Sequence, residues 1–344
     1  MKGTTMHSPS PRSRRTVALA LALPLVLAGC GADVDAADDP TRDTSEVTNC
    51  GVSQSYPTPK AAVAYDVSSI EKMFALGLSD RMRGIVLPAT VKSVAQTSPY
   101  KKDYAAVDTI ATDVLSQEQV VSAKADWVFA GWQAGFSQER GITPDSLSRL
   151  GIQSYMQEET CFSYDKGKPA AASSGLLALD ATYRDLTNLG SVFGVQSTAK
   201  SVVDGLEKRQ HALQQRPARE TTPTVFVYDS GTSEPYTAGR RTAPNDIITL
   251  AGGRNAAAGL DARWDVMGWE PVVQTDPDVI MVVDYDKEPL ARKLAYLKNQ
   301  SPLKNSKAVE NNRIHVIDYG KAVSGPRNLD AAEELARYLD QQGF

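Results

Sequence analysis

Short apolar runs alternate with helical stretches along this chain in two separate blocks, and a long stretch without strand character divides them. Alternation of that kind predicts parallel sheets covered by helices, because a strand-to-strand crossover needs a helix to return the chain. In the first block the pattern predicts strands at Ala61–Asp66, Met82–Leu87, Trp127–Gly131 and Ile152–Met156. Helices are predicted at Ser69–Gly77, Ser116–Lys124 and Thr143–Leu150; Ser116 with Gln119 has the form of a capping box. Leu176–Gln215 has helical periodicity, with Gly190 and Gly194 suggesting a break. Its second part, Ser197–Gln215, would be roughly 30 Å long. The second block predicts strands at Thr224–Asp229, Val279–Tyr285 and Arg313–Asp318. Its helices are predicted at Asn245–Ala251, Trp269–Thr275, Leu290–Leu297 and Asp330–Gln341. The expected fold class is α/β: two lobes at 61–175 and 217–344, joined through a helical linker at 176–216 that contains one long bridging helix.

An internal echo ties the blocks together. Glu118-Gln119-Val120-Val121 precedes Asp126-Trp127-Val128-Phe129, and Glu270-Pro271-Val272-Val273 precedes Asp278-Val279-Ile280-Met281 at the same spacing. Each unit is an early-helix glutamate, two valines, then an aspartate opening an apolar strand, so the lobes repeat one helix–strand unit.

The N-terminus reads as an export signal. Met1–Arg15 carries Lys2, Arg12, Arg14 and Arg15 without an acid, and Thr16–Ala28 is apolar apart from Thr16. That run is shorter than the ~20 residues of a spanning helix. Leu27-Ala28-Gly29-Cys30 resembles a bacterial lipobox, which implies cleavage after residue 29 and lipid on the Cys30 thiol. An ordinary secretory signal with a chance cysteine is the plainer alternative. Ser13-Arg14-Arg15 leaves twin-arginine and general export both open. Residues 30–60, acidic and polar at first, read as a flexible tether. Exported cysteines meet an oxidising compartment, so the remaining pair, Cys50 and Cys161, reads as a disulfide.

Several function classes recede on composition. The net charge is −4, and no basic run follows Arg15, so no nucleic-acid partner is expected. Past the signal only His211 and His315 remain, one on the long helix and one inside a strand, a poor supply for a bare-metal site or an activated nucleophile. There is no G-x-S-x-G sequence, and Asp229-Ser230-Gly231 lacks the lysine of a phosphate loop. An enzyme is not expected, nor a resident cofactor or metal.

The lipobox, Val63-Ala64-Tyr65-Asp66 followed by Ser69-Ile70-Glu71 and Ala75-Leu76-Gly77, the two helix–strand units and Ser324-Gly325-Pro326-Arg327-Asn328 together resemble the substrate-binding lipoproteins of ABC importers. The resemblance is to the iron-siderophore and cobalamin class, periplasmic-binding-protein class III, from about Ala61 to Leu339. The order of these features carries it rather than any single motif. Thr-Asn-Cys50-Gly, Glu-Thr-Cys161-Phe, Val227-Tyr228-Asp229-Ser230-Gly231 and Tyr236-Thr237-Ala238-Gly239-Arg240 add a resemblance to an actinobacterial subgroup, some of whose members are proposed to bind a deazaflavin precursor.

The resemblance implies two Rossmann-like lobes with a ligand cleft between them and small lobe motion. It also implies a monomer anchored outside the cell membrane that delivers its ligand to a dimeric ABC permease. A ferric siderophore or similar bulky anionic chelate is the first ligand expected. A corrinoid or deazaflavin-type cofactor precursor is second, and a surface lipoprotein without a transport role is a third reading. Glu118 and Glu270 fit the family's permease-docking glutamates; the plainer reading is an exposed acid complementing a helix dipole. Loops after strand ends should line the cleft. They offer Tyr65, Asp66, Trp132, Gln133, Phe136 and Arg140 from the first lobe. The second lobe offers Tyr236, Arg240, Arg241, Trp264, Tyr285, Tyr319 and Arg327. Aromatic faces stack on planar ligands and the four arginines favour an anion. Each also has a structural alternative: Tyr65 and Tyr285 as core, Asp66 as a helix cap, Arg140 or Arg241 as solvated surface.

Overall fold

A computed structural model describes residues 43–163 and 178–344. The signal, the lipobox with Cys30 and the chain up to residue 42 lie outside the described residues. Among the described residues no helix is long and apolar enough to cross a membrane.

The segment expected to be a tether is a hairpin from its middle onward. Strands β1 (Thr44–Asn49) and β2 (Val52–Pro57) pair antiparallel. Cys50 and Gly51 between them both have positive φ, 50° and 77°, the backbone of the two-residue turn that matches strand twist. The hairpin holds on because its few buried groups are satisfied. Asn49 Nδ2 donates to the Met156 carbonyl at 2.8 Å, and Tyr56 Oη donates to the Ser154 carbonyl at 2.9 Å. A Cys50–Cys161 disulfide, Cα–Cα 5.2 Å, fastens its tip. Polar composition hid this element: only Val47, Asn49 and Tyr56 turn inward.

Five parallel strands form the first sheet. They are β3 (Ala62–Tyr65), β4 (Met82–Val86), β5 (Thr109–Ala111), β6 (Trp127–Ala130) and β7 (Gln153–Met156), in the order β5-β4-β3-β6-β7. Strands β3 and β6 are buried throughout, as apolar runs covered on both faces should be. In the second block β8 (Thr224–Tyr228), β10 (Arg254–Asn255), β12 (Val279–Asp284) and β13 (Ile314–Asp318) make a parallel sheet ordered β10-β8-β12-β13. The remaining strands, β9 (Tyr236–Ala238) and β11 (Trp264–Val266), pair antiparallel with each other. These three short strands, β9 to β11, and β5 were not foreseen, since each has only two or three residues.

Two helices stand between the sheets. Ala178–Val192 and Gln196–Gln214 pack against each other, and Gly194, at φ +71°, turns the chain between them. Gly190 plays a different part from the break expected of it. It lies inside the first helix, where a Cβ would collide with Ala199, so its bareness lets the two helices close up. Asp185 on that first helix is fully buried. Its carboxylate accepts from Lys72 Nζ at 2.7 Å, Tyr155 Oη at 3.1 Å and the Glu158 amide at 3.0 Å.

The sequence echo has a structural counterpart. The Ser116 side chain accepts from the Gln119 amide, closing the predicted capping box on helix Gln117–Ser122. The second unit's helix is Trp269–Thr275. Val120 and Val272 are buried while Val121 and Val273 are exposed. Asp126 accepts from the Ala61 amide and Asp278 from the Thr224 amide, so each aspartate ties its strand to the start of the lobe's central strand. Register then makes β6 equivalent to β12 and β3 equivalent to β8, which aligns Tyr65-Asp66 with Tyr228-Asp229.

Candidate functional site: the cleft between two sheets

The carboxyl ends of both sheets open on one cavity of about 440 Å³, within the ~300–1,000 Å³ of small-molecule sites. Residues just after β3, β6, β7, β8, β12 and β13 wall it: Asp66, Trp132, Gln157, Asp229, Tyr285 and Tyr319. This is where a doubly wound fold binds ligands, because loops there diverge and leave a crevice.

Of the residues expected in the cleft, Tyr65, Asp66, Trp132, Gln133, Tyr236, Trp264, Tyr285 and Tyr319 line this cavity. Two of them have left-handed backbone, Asp66 at φ 63° and Gln133 at φ 72°, a conformation costly for non-glycine residues and concentrated at functional sites. Arg140 stabilises the loop that carries Gln133. It donates to the carbonyls of Gln133, Ala134 and Gly135 at 3.0, 2.8 and 2.8 Å. A Cβ on Gly135 would stand 2.6 Å from Ala130 Cβ, so the tight return needs glycine.

Aromatic rings face the cavity in pairs. Tyr236 and Trp264, brought together by the β9–β11 pairing, stack with centroids 6.1 Å apart. Tyr285 and Tyr319 meet at 5.4 Å. Each of the latter is anchored by a carboxylate: Tyr285 Oη donates to Asp229 Oδ2 at 2.7 Å, and Tyr319 Oη to Asp66 Oδ2 at 3.2 Å. Burial pushes the Asp66 carboxyl above its ordinary pKa, opposed by hydrogen bonds from the Val67 amide and Tyr319 and by the charge of Arg263. Its Oδ1 is closed off from solvent without a hydrogen-bond partner.

Five other expected residues lie elsewhere. Phe136 is fully buried in the first lobe's core. Arg140 serves the loop, as above. Arg240 and Arg241 both pair with Asp261 away from the cavity. Arg327 is buried with its guanidinium between Glu71 Oε1, 3.1 Å, and Asp318 Oδ1, 2.8 Å. The anion-binding character read from these four arginines therefore has no basis in the cavity wall. Its charged residues are instead Asp66, Glu159, Asp229, Arg263 and Lys287, and Arg263 is held by Glu159 at 2.9 Å. Asp229, Arg263 and Glu159 were missed. Asp229 could have been found by extending the echo, since it repeats Tyr65-Asp66 at the end of the equivalent strand.

Several contacts join the lobes around the cavity. Ser68 Oγ donates to the Ser324 carbonyl at 2.6 Å, the Ser93 amide to Asp286 Oδ2 at 2.7 Å, and Thr97 Oγ1 to Asp318 Oδ2 at 3.0 Å. The Arg327–Glu71 and Arg263–Glu159 pairs add charge. Glu118 and Glu270 are both exposed in the first turns of their short helices. His211 is on the Gln196–Gln214 helix and His315 in β13, where burial lowers its pKa to about 4. Among the described residues no three metal-ligating side chains converge.

A two-sheet α/β architecture of this kind has relatives. A family model described as periplasmic binding protein matches residues 62–319. An uncharacterised ABC transporter substrate-binding lipoprotein of Bacillus subtilis is 23% identical over 92% of this chain and 94% of its own length. A vitamin B12-binding protein of Photorhabdus laumondii is 22% identical over 84% of this chain and 90% of its own. Among solved structures, a periplasmic binding protein from Veillonella parvula superposes with TM-score 0.72 at 25% identity, covering 87% of this chain and 98% of that one. An ABC-type Fe3+-hydroxamate transport protein from Saccharomonospora viridis gives 0.70 at 22%, covering 86% and 98%.

Proposed function

Because the chain belongs to the periplasmic binding protein family, we propose that it is the lipid-anchored, extracytoplasmic receptor of an ABC importer. It captures a chelate- or cofactor-sized molecule between its lobes and passes it to a dimeric permease. The observation that carries this reading is the cavity at the carboxyl ends of both sheets, walled by two aromatic pairs from the second lobe and by Tyr65 and Trp132 from the first.

A ferric siderophore is the first ligand class. The cavity volume of about 440 Å³ lies within the range of small-molecule sites, and a corrinoid is the bulkier alternative. A flat organic cofactor or precursor of deazaflavin type is the second, favoured by the stacked Tyr236–Trp264 pair, which offers a ring face. The cavity wall holds Trp132 and Trp264, so ligand entry should change tryptophan emission. Titration with ferric hydroxamates, cobalamins and deazaflavin precursors tests the reading. Saturable binding at micromolar concentration by one class is the expected result. No response to any of them would remove the receptor function and leave a non-transport surface lipoprotein. Anchoring is tested separately: Cys30→Ala should abolish palmitate labelling and free the protein from membranes, and labelling that persists would refute the lipobox.

A further inference from the structure

We infer that the ligand of this cleft carries a positively charged, hydrogen-bond-donating group, such as an ammonium, which is received between Asp66 and Asp229. The inference rests on the receptor reading above and specifies the charge of what that receptor takes.

The argument begins with equivalence. Strand register aligns Asp66 with Asp229, each the residue after a tyrosine at the end of its lobe's central strand. The two-lobe repeat therefore delivers one carboxylate from each side to the same cavity. Each already accepts one tyrosine hydroxyl, from Tyr319 or Tyr285, and those two rings touch. Tyr285 and Tyr319 spend their hydroxyl protons on the carboxylates, so this part of the wall presents acceptors and aromatic faces to a ligand. Both select for a cation: carboxylates through charge-assisted hydrogen bonds, rings through their negative faces.

The positive charges near the pair already have partners or lie outward: Arg263, which also acts on Asp66, is engaged by Glu159; Lys293 is buried, donating to the Val283 carbonyl at 2.7 Å with its ammonium 4.2 Å from the Tyr285 ring centroid; and Lys287 is exposed beside a short turn. The four arginines that could have received an anion are absent from the cavity wall and bound to other partners, Arg140 to the carbonyls of its own loop. A cation in the cavity would also relieve Asp66, whose ionised form is disfavoured by burial.

The test uses the purified full-length chain and three ferric trishydroxamates that differ only at one arm: a free ammonium, its acetyl amide and its succinyl amide. The ammonium form should bind at least about tenfold more tightly than the succinylated one, a difference of 1.4 kcal/mol. Asp229→Asn and Asp66→Asn should each reduce that preference several-fold while leaving the acetylated form's affinity in place. Asparagine tolerates the left-handed backbone at 66, so the fold should survive. Equal or tighter binding of the succinylated form, or a preference untouched by both substitutions, would overturn the inference. If none of the chelates binds, the siderophore reading fails by itself. The charge inference is then decided by a flat aromatic cation against a flat aromatic sulfonate of similar size, read by tryptophan quenching. Quenching by the cation, weakened by Asp229→Asn, supports it; preference for the sulfonate, or quenching by neither, refutes it.

Discussion

Replacing Arg327 by methionine distinguishes a ligand contact from a buried tie between lobes, and the structure gives the size and the pH dependence of the effect. Arg327 is 3% exposed and Glu71 1%. The guanidinium reaches Glu71 at 3.1 Å and Asp318 at 2.8 Å, and Gly320 leaves it room where a Cβ would collide. Glu71 also accepts from Ser98 Oγ at 2.7 Å. Removing the arginine leaves a buried carboxylate with one neutral donor, a situation that costs about 3–5 kcal/mol while the acid stays ionised.

Glu71 has a partial escape through protonation. Burial raises its pKa to about 7, against the pull of Arg327 and Ser98. A carboxyl raised in the folded state gives its stability below the unfolded pKa, near 4.5, and loses it as pH rises through about 7. In Arg327→Met the opposing charge is gone and the folded pKa rises further, so the loss extends to higher pH. The variant should therefore fall short of the parent by less at pH 6 than at pH 8, with the deficit climbing toward ~3–5 kcal/mol only as pH passes the variant's own raised pKa. Urea unfolding at both pH values measures this. Adding Glu71→Gln removes the charge and should recover most of the deficit at pH 8. A pH 8 deficit below about 1 kcal/mol, or lost ligand affinity at unchanged stability, would refute the buried-tie assignment.

Asp185→Asn should cost about 3–5 kcal/mol, because it strands the fully buried Lys72; the double change Lys72→Met with Asp185→Leu should unfold at a urea concentration closer to the parent's than the single variant does. Replacing Cys50 and Cys161 by serine should lower stability by up to about 4–5 kcal/mol in the chain-entropy model for a separation of 111 residues, seen as a lower unfolding midpoint with ligand affinity retained. Glu118→Ala with Glu270→Ala should leave ligand affinity near the parent's while uptake through the permease collapses. Single exposed pairs are worth only about 0–1 kcal/mol, so either change alone should be milder. Equilibrium binding and uptake measured on the same double variant decide it, and unchanged uptake would return both residues to helix-dipole partners.

What the sequence disclosed and what it hid follow one line. Elements whose signal is local were legible: the apolar strands, the Ser116–Gln119 capping box, and the Glu118/Glu270 units with their tethering aspartates. Tyrosines and tryptophans after strand ends reached the cavity because a strand end fixes where a side chain begins. The arginines failed because a long side chain goes where its partner is. Asp261, Glu71 and the 133–135 carbonyls are distant in sequence or belong to backbone. The β1–β2 hairpin escaped because its stability comes from tertiary anchors on a polar strand pair.

The ties across the cleft carry a consequence for how a transporter would read this molecule. Buried charge and hydrogen bonds clasp the lobes at Arg327–Glu71, at Ser68–Ser324 and at the Ser93–Asp286 contact. Swinging the lobes apart would leave the Glu71 carboxylate with Ser98 as its neutral donor while Arg327 kept Asp318. If Glu118 and Glu270 are the docking points, lobes clasped in this way would hold them like the jaws of a locked caliper, set to one gauge. A permease gripping both would then measure one width. News of the cargo would have to reach it through the cavity wall itself, which includes Lys287 and the turn that carries it.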